Sequence, residues 1–285
     1  MGLNMIKIKV NSQAAEITHP SKILFPKRGI TKMDVVQYYL DIADYLLPVI
    51  KHHPITIRCF PDGIEAPGFF RQHAPANLPD WFKTVPLKLK MGGEMRHILC
   101  QNKETLVYLA NQNTIEIHRW LSTAQKPEIP DIMLIDIDPP EDRFDLACKA
   151  AKLLKIPLEK KGYKPSLILT GSKGIHIISS CKDGKNYDQI KSMLYELTAK
   201  LSETNQGEFS TNVRKKMREG AVYLDISCNN YGQASIAPFS LRARRDAPVA
   251  TPIGWDELDE FGIEPDKYNI RDIFERLKIA NTSKE

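Results

Sequence analysis

The spacing of apolar positions switches between helical and strand periods along the chain. Val35, Val36, Tyr39, Leu40, Ala43, Leu46 and Leu47 recur at helical intervals and predict one amphipathic helix. Thr31 precedes it as a candidate N-cap, with Asp34 three residues on. Pro54 to Phe60 alternates as a strand and runs into the turn Pro61-Asp62-Gly63. Glu104 to Gln112 predicts a helix and Ile115 to His118 a strand. Further strands are expected at Ile6 to Val10, Asp131 to Asp138, Ser166 to Thr170 and Ile175 to Ser179, and further helices at Phe144 to Leu154, Tyr187 to Leu201 and Ile270 to Ile279. Ala221 to Ile226 and Ala234 to Ala237 are expected to pair as a hairpin across Asn229-Asn230-Tyr231-Gly232. Hairpins mixed with helices predict an α+β chain of mixed and antiparallel sheets rather than a doubly wound parallel sheet. No linker divides it, so a single domain over 1–285 is expected, with one lobe to about residue 120 and a catalytic lobe over 121–285.

Composition narrows the function classes. A chain of 285 residues has ample length for a buried core. Its net charge of +5 suits a polyanionic partner without demanding one. The 5 cysteines lie far apart with no CxxC pair, which argues against a zinc knuckle or disulfide framework and fits a reducing cytoplasm. Met1 to Val10 alternates lysine with apolar residues and lacks the apolar core of a signal peptide. No apolar run is long enough for a membrane span, so no membrane partner is expected.

The chemistry begins at Leu134-Ile135-Asp136-Ile137-Asp138-Pro139-Pro140. Alternation along a strand projects Asp136 and Asp138 from one face, where two like charges repel and a divalent cation relieves them. Asp225 interrupts a second apolar run, Val222 to Ile226, and an acid there is costly to bury unless paired or metal-bound. Three such carboxylates on neighbouring strands can hold two Mg²⁺ or Mn²⁺ ions about 3.5–4 Å apart. In Gly171-Ser172-Lys173-Gly174-Ile175-His176, the glycines let backbone amides approach an anion while Lys173 and His176 add donors. The spacing is not that of a Walker A loop. Arg218 and Arg242 flank the Asp225 strand and suit phosphate, whereas Lys215 and Lys216 read equally well as a solvated face. Phe69 and Phe70 sit in the loop-like stretch Gly68-Phe69-Phe70-Arg71 and cannot easily both face inward, which leaves one as a platform for a base. His118, near Trp120, suits either a core position or a nucleotide contact. From these residues alone, a nucleotidyltransferase, a metal-dependent phosphodiesterase or nuclease, and a non-catalytic DNA-end-binding module all remain open.

The assembled pattern resembles the primase-polymerase module of prokaryotic ligase D systems, in the archaeo-eukaryotic primase superfamily. The resemblance is carried by Lys22 to Pro26 with Thr31-Lys32, Pro67 to Phe70, Ala110-Asn111-Gln112 through His118, Asp136 to Pro139, Gly171 to His176, Asp225-Ile226-Ser227 and Ile236 to Arg242, in family order from about residue 15 to 260. It implies a primase-like fold around a catalytic cleft. Asp136, Asp138 and Asp225 would be the catalytic ligands of two metals, Mn²⁺ or Mg²⁺. Ser172, Lys173, His176 and Arg242 would hold the incoming triphosphate, with His118 near its sugar and Arg218 on nucleotide or primer phosphate. Lys22 and Lys32 would grip a DNA 5′-phosphate, and Phe69 and Phe70 would stack on template. The implied activity is addition of nucleotides, ribonucleotides by preference, at DNA gaps and double-strand-break ends in non-homologous end joining. Ku and a DNA ligase would be partners, in the nucleoid-associated cytoplasm. His19 departs from the family's usual asparagine beside the phosphate lysine, and Cys228 from a polar residue after Asp225-Ile226-Ser227. No ligase or nuclease motif accompanies these, so a freestanding member or an excised domain is expected.

Overall fold

The computed structural model describes residues 5–11, 13–75, 78–90 and 92–282. Two compact units emerge. One comprises Met1–Trp120, Ile236–Val249 and Tyr268–Glu285; the other comprises Leu121–Ser235 and Ala250–Lys267.

The first unit opens with strands β1 (Met5–Val10) and β2 (Gln13–Thr18), paired antiparallel. Short β3 (Ile23–Phe25) and β4 (Ile30–Thr31) then lead into helix α1 (Lys32–Asp41). The expected cap is present: the Asp34 amide donates to Thr31 Oγ1 at 3.2 Å, and the Thr31 amide donates to Asp34 Oδ2 at 2.7 Å. The single helix expected here is two. At Ile42 the backbone tightens (φ −81°, ψ −5°) before α2 (Ala43–Ile50) begins, and Pro48 leaves α2 one amide short. Strands β5 (Pro54–Cys59), β6 (Phe69–Arg71), β7 (Thr84–Lys88) and β8 (Glu94–Leu99), helix α3 (Lys103–Asn111) and strand β9 (Thr114–Trp120) complete this stretch. Their sheet runs β9-β5-β8-β7, with β6 also pairing with β5. Phe69 and Phe70 therefore lie on a strand rather than in the expected loop, opposite Cys59 and Arg58. Pairing with β5 satisfies the backbone that proline and glycine upstream suggested would be irregular.

The second unit holds β10 (Ile132–Asp138), α4 (Phe144–Lys160), β11 (Ser166–Leu169), β12 (Ile175–Ser180), α5 (Tyr187–Thr204), β13 (Phe209–Ser210) and β14 (Val222–Asp225). At β15 (Ala234–Ile236) the chain returns to the first unit, comes back for β16 (Thr251–Ile253), and ends in α6 (Ile273–Thr282) of the first unit. The sheet of the second unit has order β13-β14-β10-β12-β11-β16. Met133, Ile135 and Ile137 are buried and alternate with Leu134, Asp136 and Asp138 on the opposite face. Helix α4 packs against β10 and β12. The expected hairpin between residues 221–226 and 234–237 does not form. Strand β14 is flanked by β13 and β10, so neither of its edges is free for β15.

One glycine fixes how closely β12 approaches β10. A Cβ at Gly174 would run into the Ile137 carbonyl oxygen, with Pro139 Cδ at 3.3 Å behind it. Gly174→Ala is expected to lower unfolding stability by about 1–3 kcal/mol, because the strand must shift to admit the methyl group. Chemical denaturation of the two proteins measures this.

Candidate active site

Three neighbouring strands of the second unit bring together residues far apart in the chain. Asp136 on β10 faces Asp225 on β14 and His176 on β12, and Asp138 faces Tyr223 on β14. Directly paired residues share a sheet face, so His176, Asp136 and Asp225 form one row, with Asp138 in the next. Like charges placed directly opposite destabilise a sheet. Burial, and then repulsion from Asp136 and Asp225, push the Asp138 carboxyl up to about 6, against the pull of His176 and Arg218. Asp136 Oδ1 is buried without a hydrogen-bond partner; His176 Nε2 stands 3.4 Å away. Asp225 Oδ1 accepts from the Ser227 amide at 2.7 Å. Among the described residues, no three His, Cys, Asp or Glu side chains are already drawn together as a cage. Even so, clustered, under-compensated carboxylates with an orphaned acceptor are a donor set suited to hard divalent cations.

Arg218 lies beside this row, its guanidinium carbon 3.6 Å from the Tyr223 ring centroid. Its Nε and Nη2 donate to the carbonyls of Asn212 and Val213 at 2.9 and 2.8 Å, which ties down the basic loop preceding β14. The 171–174 turn differs from expectation. Its amides do not all face outward: those of Ser172 and Gly174 donate to Thr170 Oγ1 at 3.3 and 3.2 Å, and that of Gly171 to the Pro265 carbonyl at 2.8 Å. Thr170 organises the turn, and Ser172 and Lys173 have only their side chains and the Lys173 amide to offer an anion. Lys173 Nζ stands 4.0 Å from Glu141, an exposed pair of little strength.

His118 and Arg242 belong to the first unit, and both converge on an acid that sequence reading missed. Glu116, only 2% exposed, accepts from His118 Nε2 at 3.1 Å, Arg242 Nε at 3.2 Å and the Ala243 amide at 3.1 Å, with Arg58 Nη1 at 3.7 Å. Burial alone would raise its carboxyl; these donors outweigh burial and pull it down to about 2. Burial pushes His118 toward the neutral imidazole. The turn bearing Arg242 is knitted to β9, since the Ile117 amide donates to the buried Ser240 hydroxyl at 2.8 Å, and Phe239 takes a left-handed φ of 67°. Signals for Glu116 existed: it interrupts an apolar strand as Asp225 does, and it lies two residues from His118 on the same face. Glu116→Ala is expected to cost about 1–3 kcal/mol, because the half-buried Arg242, His118 and the Ala243 amide lose their acceptor. Thermal unfolding would register this as a lowered Tm.

Phe69 and Phe70 are 43% and 57% exposed. Phe70 meets the His118 ring edge-on at 5.5 Å, and the Arg58 guanidinium sits between Phe60 and Phe70, 4.9 and 5.1 Å from their centroids.

Elsewhere in the first unit, Lys22 and Lys32 line one cavity of about 400 Å³ with Thr18, His19, Ser21 and Asn111. Lys32 is 3% exposed and donates to Thr18 Oγ1 at 3.0 Å; among the described residues no carboxylate pairs with it. Burial, with repulsion from Lys22, lowers its ammonium to about 8. Asn111 holds the wall, accepting from the Thr18 amide at 3.1 Å and donating to the Glu16 carbonyl at 2.9 Å. His19 has a φ of 50°, in the left-handed region that asparagine and histidine both tolerate. The substitution noted in the sequence therefore keeps the turn.

Comparison with known proteins places the chain in a family. A family model described as "LigD, primase-polymerase domain" matches residues 31–282. The bifunctional non-homologous end joining protein LigD of Bacillus subtilis is 30% identical over 265 residues, covering 92% of this chain and 42% of that protein. The multifunctional LigD of Mycolicibacterium smegmatis is 27% identical over 249 residues, covering 86% and 32%. The chain thus spans less than half of these curated relatives. The polymerase domain of Mycobacterium tuberculosis ligase D, solved in complex with DNA, superposes with a TM-score of 0.87 at 24% identity, covering 92% of this chain and 94% of that one. The fold is thereby the α+β, archaeo-eukaryotic primase-like one. The chain belongs to the LigD primase-polymerase domain family, a family of nucleotidyltransferases.

Proposed function

We propose that this chain extends a primer 3′-hydroxyl with nucleotides, ribonucleotides by preference, at DNA gaps and double-strand breaks, as the polymerising component of non-homologous end joining. The observation that carries the reading is the row Asp136–Asp225 on adjacent strands with Asp138 beside it. Asp136, Asp138 and Asp225 would hold two divalent cations, Mn²⁺ or Mg²⁺. Bound there, such ions would supply Lewis-acid chemistry, making the primer hydroxyl more acidic and offsetting charge on the α-phosphate. The chain's own part is positioning and electrostatics. Ser172, Lys173 and His176 serve the triphosphate of the incoming NTP or dNTP, and His176 stands beside Asp136. In the first unit, Glu116 orients His118 and Arg242 toward nucleotide, while Arg218 of the second addresses phosphate. The exposed Phe69 and Phe70 stack on template, and the Lys22–Lys32 cavity takes the 5′-phosphate across the gap. Family membership supports Ku and a DNA ligase as partners and the nucleoid of the cytoplasm as the place of action. Among the described residues no helix is long and apolar enough to cross a membrane.

Primer extension on a 5′-phosphorylated gapped duplex tests this, with rNTP against dNTP and Mn²⁺ against Mg²⁺. Template-directed extension is expected. Cleavage of the primer instead, with no nucleotide-dependent thermal stabilisation, would identify a phosphodiesterase using the same carboxylates.

A further inference from the structure

Strand β14 stops at Asp225, yet β10 continues backward from Asp136 through Leu134. Backbone groups along a strand address alternate edges, so Leu134 and Asp136 present their N–H and C=O to the same edge, the one β14 occupies. The register Asp136↔Asp225 would put Ser227 opposite Leu134. The Ser227 amide has turned away to Asp225 Oδ1, at 2.7 Å. Both Leu134 groups are instead met by one side chain. The Leu134 amide donates to Asn229 Oδ1 at 3.0 Å, and Asn229 Nδ2 donates to the Leu134 carbonyl at 2.6 Å and to the Ile226 carbonyl at 2.9 Å. Asn229 is fully buried. A carboxamide has the same donor and acceptor as a peptide group, so this side chain substitutes for the missing residue of the strand.

We infer that Asn229 is a positioning residue for the metal site: its amide clamps the loop after Asp225 to the strand bearing Asp136 and Asp138, holding the third carboxylate in register with the first two. Nothing else among the described residues bonds Leu134 at that edge. Without the clamp, the 226–229 loop loses its tie to β10 one step from the Asp136–Asp225 pair, and the carboxylates drift from the spacing two ions require. Outer contacts of this kind orient metal ligands without touching the metal. The inference rests on the metal reading proposed above.

Manganese alone is the probe. Electron paramagnetic resonance of free Mn²⁺ would be followed for wild type, Asp136→Ala, Asn229→Ala and Asn229→Leu, the last keeping the buried volume without the hydrogen bonds. Wild type is expected to bind and Asp136→Ala to lose that binding; the Asn229 variants should bind roughly 10–100-fold more weakly. In extension assays their kcat should fall at fixed Mn²⁺ and recover at high Mn²⁺, with KM for nucleotide and the 5′-phosphate preference unchanged. Equal Mn²⁺ binding by wild type and Asp136→Ala would remove the metal reading and this inference with it. Asp136-dependent binding that the Asn229 variants share at full affinity, with only a lowered Tm, would overturn the positioning role alone. If neither variant folds, hydrogen exchange in the wild type decides: Mn²⁺ should slow the Leu134 amide together with that of Ser227, and an unaffected Leu134 overturns the clamp.

Discussion

Asp136→Ala should reduce primer extension by roughly 10³-fold or more, the scale on which a member of a catalytic unit fails, while binding to gapped DNA stays near wild type. Asp136 is the middle of its row, with Asp225 on one side and His176 on the other, so its loss would remove the carboxylate at the centre of the proposed metal site. A second outcome makes the test sharper. Removing Asp136 takes away one of the like charges that, after burial, hold Asp138 up at about 6. The metal-free variant should therefore unfold at a higher temperature than metal-free wild type, since a directly opposed like-charge pair costs about 0.2–1 kcal/mol. Catalytic sites commonly carry such a stability cost. Full extension by the variant would refute the carboxylate assignment, and a lowered Tm would mean that Asp136 holds the sheet together rather than straining it.

Replacing both Lys22 and Lys32 by alanine should erase discrimination between 5′-phosphorylated and unphosphorylated gaps, a loss upward of roughly 10²-fold if each ammonium makes one charge-assisted bond. The wild type carries its own control in pH. A phosphate needs the Lys32 ammonium, and burial lowers that group from 10.5 to about 8 in the free protein. The preference for a 5′-phosphate is thus expected to be full at pH 7 and to decline as pH rises through 8 toward 9.5. The sign for stability is opposite. The unfolded lysine holds its proton to higher pH than the folded one, so the penalty for the buried charge is fully present below pH 8 and fades above it. Equilibrium binding of the two gapped duplexes across this range measures the first effect, and denaturation of the free protein the second. A preference that is flat with pH would place the phosphate elsewhere.

Much of this was legible in the chain because it depends on local pattern. The Thr31–Asp34 cap, the period-2 runs ending at Asp138 and Asp225, and the turn before His176 all follow from neighbours within a few residues. Alternation shows which face a side chain takes but not which strand lies alongside, and that is where expectation failed. The stretch 221–226 reads as half a hairpin, yet β13 and β10 claim its edges. Phe69 and Phe70 read as loop because proline and glycine precede them, and only pairing with Arg58 and Cys59 makes them a strand. In the sequence, Glu116 is overshadowed by the more conspicuous His118. Its weight comes from Arg58, Arg242 and the Ala243 amide, two of which arrive from more than 100 residues away. Thr170 was hidden for the opposite reason: a hydroxyl next to a glycine gives no sign that it will take the amides of Ser172 and Gly174.

The path of the polypeptide has a further consequence, for biosynthesis. The core around Leu24, Val35 and Ile57 also contains Leu241, Val249, Ile270 and Ile273, so the half of the molecule translated first is finished last. The half containing the three aspartates has all its parts once Lys267 is made. A chain released at Lys267 would carry every residue of the acidic sheet while the first unit still lacked Ile270 and Ile273 to cover its core, a form that chaperones and proteases would find before DNA does.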